Sequence, residues 1–341
     1  MRSNRRTFLK ATTAAAAATV AMPWVSREAF GQEELKLASF VPPTHSIWSG
    51  VLMPWAKRVE EQSKGKLKIT GYPSMQLGGK PPELYRQMVQ GIADIIFTVP
   101  GYTSADFPML GLTELPGTAS NAHDGTNKLW DRLKQGYFEK EFADAKVLML
   151  WNSDNAGLMT RDKLIKRHED VKGMRVRAPS EAQSKQIDFM GGIGVSMPVT
   201  QIYQGLERGT IDATQIPMSA MIDFKLIEVV KSLTINTPLG RSPFLVSLQR
   251  KRYEKLPDDL RKIIDDTTGI KLSHEGSSDY DAQNKKAIEL AKKERQVYEL
   301  SKKEHDEWLA FFAPLIKSEG ERVDKLGLPG TKLIKSYGLM S

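Results

Sequence analysis

Hydrophobic and polar positions alternate with period two in several short stretches, and each is followed by a stretch of helical period. The pattern predicts strands at Leu35–Phe40 and Lys66–Tyr72, the first closed by Pro42 and Pro43 and the second opened by the Lys64-Gly65 turn. A helix is expected between them at about Ile47–Ser63, a second at Glu83–Gln90, and further strands at Ile92–Val99 and Val147–Trp151. The second half repeats the alternation: strand Gly173–Ala178, helix Ser180–Met190, strand Val195–Met197, helix Ile202–Arg208 and strand Ala213–Ile216. Strand–helix–strand order of this kind argues for an α/β fold with largely parallel sheets. In GMRVRAPS (residues 173–180), Met174, Val176 and Ala178 alternate with Arg175 and Arg177. Pro179 and Ser180 then lead into a helix, with Gln183 as the expected capping-box partner of Ser180. A guanidinium at such a strand end is either a solvated edge or a seat for an anion.

Two stretches superpose in register. LYRQMVQGIAD (Leu84–Asp94) and IYQGLERGTID (Ile202–Asp212) share Tyr85/Tyr203, Met88/Leu206, Gly91/Gly209 and Asp94/Asp212. Each reads as an amphipathic helix, a glycine cap and a turn into a strand. Recurrence of the unit points to two lobes of similar construction, and two lobes imply a cleft. From about Pro257 to Leu300 the chain is long, polar and without strand signal, as expected of one or two long helices bracing both lobes. The Leu315–Ser341 tail is expected on the second lobe.

Composition changes the picture at the N-terminus. Arg5-Arg6, then Phe8-Leu9 and Lys10, precede an alanine-rich run from Ala11 to Val25, which suits a signal peptide and falls short of the roughly 20 residues that span a bilayer. The pattern is similar to a Tat export signal, with cleavage near Gln32 and a periplasmic product. Residues 1–31 carry a net +4, which leaves +4 of the chain's +8 for the rest, spread without the basic stripe that nucleic acid requires. There is no cysteine, so disulfides, thiolate metal sites and a cysteine nucleophile are excluded. No second apolar stretch is long enough to cross a membrane.

Catalytic constellations do not assemble. The five histidines (His45, His123, His168, His274, His305) lack metal-site spacing, and no G-x-S-x-G elbow occurs. Gly191–Ser196 follows a helix and precedes a strand, the reverse of a phosphate-cradling order. No metal and no cofactor is expected, and the chain does not read as an enzyme.

Residues 172–213 (KGMRVRAPSEAQ through LERGTIDA), together with FVPPTHS at Phe40–Ser46 and YPSMQLGGKPPELYRQMVQGIADI at Tyr72–Ile95, resemble the solute-binding proteins of tripartite ATP-independent periplasmic (TRAP) transporters, of the dicarboxylate-binding DctP type. KSLTINTPLGRSPFLVS and LPDDLRKII extend the likeness over nearly all of residues 32–341. The resemblance implies a two-lobed periplasmic binding protein with crossing hinge strands and a long helix spanning both lobes. Lobe I would comprise residues 32–153 plus about 243–280, and lobe II residues 154–242 plus about 281–341. It also implies that Arg177 pairs with a substrate carboxylate, a role that suits a planar guanidinium on a rigid strand end. Arg175 would lie deeper and pair with an acid, and Arg241 reads as a hinge-side ion pair, with a second anion contact as the alternative.

Departures from the family pattern bear on the ligand. Ile216 stands where relatives carry a substrate-contacting asparagine, Gly157 where some carry a second arginine, and Val199 where those carry an aromatic. Met197, Val199, Ile216 and Met218 are therefore expected as an apolar wall, with Trp48, Gln76 and Tyr102 facing them from the first lobe. The expected ligand is a small monocarboxylate with an apolar or aromatic body, handed by a monomeric receptor to the small and large TRAP membrane subunits. The alternatives are an exported enzyme for carboxylated substrates, or a binding module serving a sensor or an ATP-driven importer.

Overall fold

The structure is a computed structural model that describes residues 32–340; the expected export signal lies outside them. Eleven strands occur in the described residues: β1 (Glu33–Ser39), β2 (Leu67–Tyr72), β3 (Ile95–Thr98), β4 (Ala145–Asn152), β5 (Ala156–Thr160), β6 (Arg175–Ala178), β7 (Ile193–Ser196), β8 (Ala213–Pro217), β9 (Ser232–Ile235), β10 (Pro243–Gln249) and β11 (Gln296–Glu299). They form two sheets, ordered β2-β1-β3-β10-β4 and β11-β9-β5-β8-β6-β7. The expectation of largely parallel sheets needs correction, because each carries one antiparallel strand among parallel ones. β10 runs against β3 and β4, and β5 runs against β8 and β9. Both are the strands that follow a crossing between sheets, at residues 153–155 and again at 236–242.

Alternation explains the start of β1, where Leu35 and Leu37 are buried while Lys36 between them is exposed, and of the edge strand β2, where Leu67 and Ile69 flank exposed Lys68. The central strands are buried throughout, as β3, β5 and β8 are, so they present apolar runs rather than alternation. The polar stretch expected to lack strands contains β11, which pairs in parallel with β9. Before it, the Ile270–Glu294 helix, about 37 Å long at 1.5 Å per residue, begins against the first sheet and ends at the second. Against the first sheet, Ser273 Oγ accepts the Leu150 N–H at 3.0 Å, and the Tyr280 ring stacks on Phe244 at 4.9 Å. The C-terminal segment bridges instead of resting on the second half alone. Glu319 pairs with Lys185 at 3.0 Å, while Ser336 accepts from Arg132 Nε at 3.2 Å.

The internal repeat is a structural unit. Gly91 and Gly209 both take left-handed backbone angles, φ 75° and 69°, which end their helices. Each following aspartate then clamps the neighbouring strand in the same way. Asp94 exchanges bonds with Lys36 on β1, through its own N–H (3.1 Å) and a carboxylate that accepts the Lys36 N–H (2.8 Å). Asp212 does so with Arg175 on β6, at 2.8 Å in both directions.

Candidate functional site

β6 ends in Ala178, Pro179 turns the chain, and Ser180 caps the Glu181–Phe189 helix by accepting the Gln183 N–H at 3.1 Å. Gln183 does not return a capping-box bond. Its amide donates to Glu114 Oε2 (2.6 Å) and Ser242 Oγ (3.0 Å), which ties the helix to the first half of the chain and to the end of the second crossing. Ser180 Oγ donates to the same Glu114 oxygen at 2.7 Å. Glu114 is thus buried (1 % exposed), and burial pushes its carboxyl up to about 7 against the pull of Ser180, Gln183 and the Arg177 charge.

Arg177 itself is 2 % exposed. Nε donates to the Met197 carbonyl at 2.8 Å and Nη1 to the Gln215 carbonyl at 3.3 Å. No carboxylate of the described residues lies within ion-pair distance of it. Burial lowers its pKa to about 10, opposed by Tyr102 and Glu114. A cation held this way lacks the anionic partner that offsets desolvation. The Tyr102 hydroxyl lies against the guanidinium and accepts the Val199 N–H at 3.1 Å; burial raises its pKa, with Arg177 opposing.

Arg177 opens onto a cavity with about 440 Å³ of empty space, mouth included. Tyr102, Val199 and Ile216 line it with Arg177, as do Phe40, Phe224, Phe244 and Tyr280. A mostly apolar lining with few polar groups suits a small organic ligand. His45 also faces it. Its Nδ1 accepts the Ile47 N–H at 3.2 Å, which leaves the proton on Nε2, 3.5 Å from Asp223. Burial lowers His45 to about 3, so the ring is neutral, and burial raises Asp223 to about 6. Gly157 pairs with Ile216 across β5 and β8. A Cβ there would lie 2.5 Å from the Thr234 carbonyl oxygen, so no side chain reaches the cavity from that position.

Four expected ligand contacts lie elsewhere. Trp48 is in the core, at the start of the π-helical turn Trp48–Leu52, with its ring over Gly71. Gln76 is exposed on a loop held to its own helix by Gln87, whose amide donates to the Gly78 carbonyl at 2.9 Å. Met197 offers Arg177 its carbonyl and lines a second cleft that shares Tyr102 and Pro179 with the cavity. Met218 is buried beneath the wall, against Gly157. Arg175 is not deeper than Arg177 but half-exposed at the strand start, in a bidentate pair with Asp212. Arg241 makes no ion pair of contact distance: it donates to the carbonyls of Ala119 (3.2 Å), Ser120 (2.8 Å) and Ser153 (3.4 Å) and to Asn155 Oδ1, pinning the crossing.

The aromatic walls were not foreseen from the sequence. Phe40 and His45 lie in FVPPTHS and Phe244 in RSPFLVS, but apolar runs give no sign of which face meets a cleft. Tyr280, a lone aromatic in a polar helix, was the one available signal. Among the described residues no cluster of three or more His, Cys, Asp or Glu is placed to hold a metal ion.

Residues 37–322 match the DctP family model, described as bacterial extracellular solute-binding protein, family 7. A solved TRAP solute-binding protein from a marine metagenome, specific for aromatic acid ligands and crystallised with 3-hydroxybenzoate, is 31% identical with a TM-score of 0.85. The match covers 90% of this chain and 97% of that one. A TRAP solute-binding protein from Rhodoferax ferrireducens, with copurified benzoate, is 31% identical with a TM-score of 0.83 over 90% and 97% of the two chains. A curated solute-binding protein of Albidiferax ferrireducens is 27% identical over 215 residues, and the match spans 62% of each chain.

Proposed function

The chain belongs to family 7 of the bacterial extracellular solute-binding proteins, and on that premise we propose that it captures a small aromatic monocarboxylate and delivers it to a TRAP secondary transporter. The observation that carries this reading is Arg177, a buried guanidinium with two carbonyl partners and no carboxylate, at the end of an aromatic cavity. The ligand's carboxylate supplies the missing charge by two parallel bonds, joined by the Tyr102 hydroxyl, whose oxygen already accepts and whose proton is free to donate. Val199 and Ile216, with the aromatic side chains, hold the ring. Two solved structures 31% identical to this chain, one specific for aromatic acids and one with copurified benzoate, support the class.

Binding is reversible and the ligand leaves unchanged; the protein is a receptor and not an enzyme. The lobes, residues 32–153 with about 243–280 and residues 154–242 with about 281–341, close on the ligand about the crossings as a hinge. The closed form is what the small and large membrane subunits accept, in the periplasm, after Tat-type export and cleavage near Gln32. A thermal-shift panel tests the assignment. Benzoate-type acids are expected to raise the melting temperature and C4-dicarboxylates to leave it unchanged; stabilisation by dicarboxylates alone would overturn it.

A further inference from the structure

Two polar groups that line the cavity with Arg177 have a fixed direction of hydrogen bonding. Ser219 lies two residues beyond β8 and lines the cavity. Its Oγ donates to Asp154 Oδ1 at 2.6 Å, and its N–H donates to Asp154 Oδ2 at 3.1 Å. A serine hydroxyl has one proton and two lone pairs. With the proton committed to the hinge carboxylate, Ser219 presents only an acceptor to the cavity. Asp154 is fully buried; burial pushes its carboxyl up to about 7 against the two Ser219 donors and the Arg241 charge, so at pH 8 it is ionised. Tyr280 also lines the cavity, is 4 % exposed, and its hydroxyl has no hydrogen-bond partner among the described residues. Burial, with Asp223, Asp279 and Asp154 nearby, keeps that hydroxyl protonated.

An acceptor and a free donor lining one small cavity are together the complement of one hydroxyl group. We propose that Ser219 and Tyr280 form a subsite for a hydrogen-bond-donating substituent, a phenolic hydroxyl, on the ring of the bound acid: the phenol donates to Ser219 Oγ and accepts from Tyr280. The inference rests on the aromatic-acid reading above and adds the substituent that reading leaves open. Asp154 does not touch the ligand; it is a positioning residue that sets the polarity of Ser219. An asparagine there keeps the shape but donates to Ser219 Oγ, which frees the serine proton to point into the cavity and turns the subsite from acceptor to donor.

The test is calorimetric titration at pH 8 with benzoate, 3- and 4-hydroxybenzoate, and the two matching methoxybenzoates, which accept but do not donate. For the intact protein, the better hydroxy isomer is expected to bind about 5- to 10-fold tighter than benzoate, the value of one net hydrogen bond, and its methoxy analogue to show no gain. In Ser219→Ala the hydroxy-to-benzoate ratio is expected to fall within about 2-fold of one. In Asp154→Asn the order of hydroxy and methoxy ligands is expected to reverse, so either variant decides the matter if the other fails to fold. Benzoate binding with no hydroxyl preference, or a preference untouched by both substitutions, overturns this inference and leaves the aromatic-acid reading standing. No saturable binding of any of these acids overturns both.

Discussion

Arg177→Met separates a binding role from a structural one, because the two predict opposite signs for stability. Burial lowers the guanidinium pKa to about 10, which corresponds to an order-of-magnitude cost of about 3 kcal/mol for keeping the charge in the empty protein. Methionine has similar length and no charge, so the substitution removes that cost. It also leaves the Met197 and Gln215 carbonyls without their donor, at about 1 kcal/mol each. The terms sum to a small change, and the empty variant is expected to melt no lower than the unmodified protein. Ligand affinity, by contrast, loses the desolvated ion pair, at about 2–5 kcal/mol or roughly 30- to several-thousand-fold in Kd. Differential scanning calorimetry with and without benzoate reads both quantities. A variant that melts well below the unmodified protein yet keeps its affinity within about 3-fold would show Arg177 to be a structural cation, and the reasoning would be wrong.

Three further outcomes follow from the geometry. Burial holds the Glu114 carboxyl at about 7, against the pull of Ser180, Gln183 and the Arg177 charge. A bound anion raises it further, so binding at pH 7 should take up protons and weaken as pH rises above that value. Calorimetry in buffers of different ionisation heat measures the uptake, which Glu114→Gln should reduce, with Asp154, also pushed up to about 7, supplying the remainder. Gly157→Ala forces a Cβ to 2.5 Å from the Thr234 carbonyl oxygen and should cost about 1–3 kcal/mol in urea unfolding; an unchanged midpoint would contradict the packing described. Asp94→Ala and Asp212→Ala each strip one strand N–H of its carboxylate partner and should destabilise by similar amounts, about 1–3 kcal/mol. A loss under about 0.5 kcal/mol in either would mean that the repeated unit does not carry that load.

Local signals made β1, β2 and the repeat legible. Leu35 and Leu37 alternate with Lys36, and the Tyr, apolar, Gly, Asp register of the two helices reports a clamp whose hydrogen bonds recur in both sheets. The crossings were not legible from periodicity. β5, β9 and β10 are buried on every residue, or nearly so, and therefore lack period-two alternation. β11 is four residues at the end of a lysine-rich helix, and only its pairing with β9 makes it a strand. At the site, Arg177 was marked by its place at a strand end before a capped helix, a pattern readable along the chain. The aromatic cage was not, because Phe40, Phe224, Phe244 and Tyr280 come from four distant segments that only the fold brings together. Trp48 shows the converse: it was expected to face the cleft, but it opens a π-helical turn and is buried in the core.

The central claim, that Arg177 holds the single carboxylate of an aromatic ligand, is tested most directly by paired titrations with benzoate and benzamide, which share shape and differ in charge. Benzoate should bind at least about 30-fold tighter than benzamide. Equal affinity for the two would contradict the account.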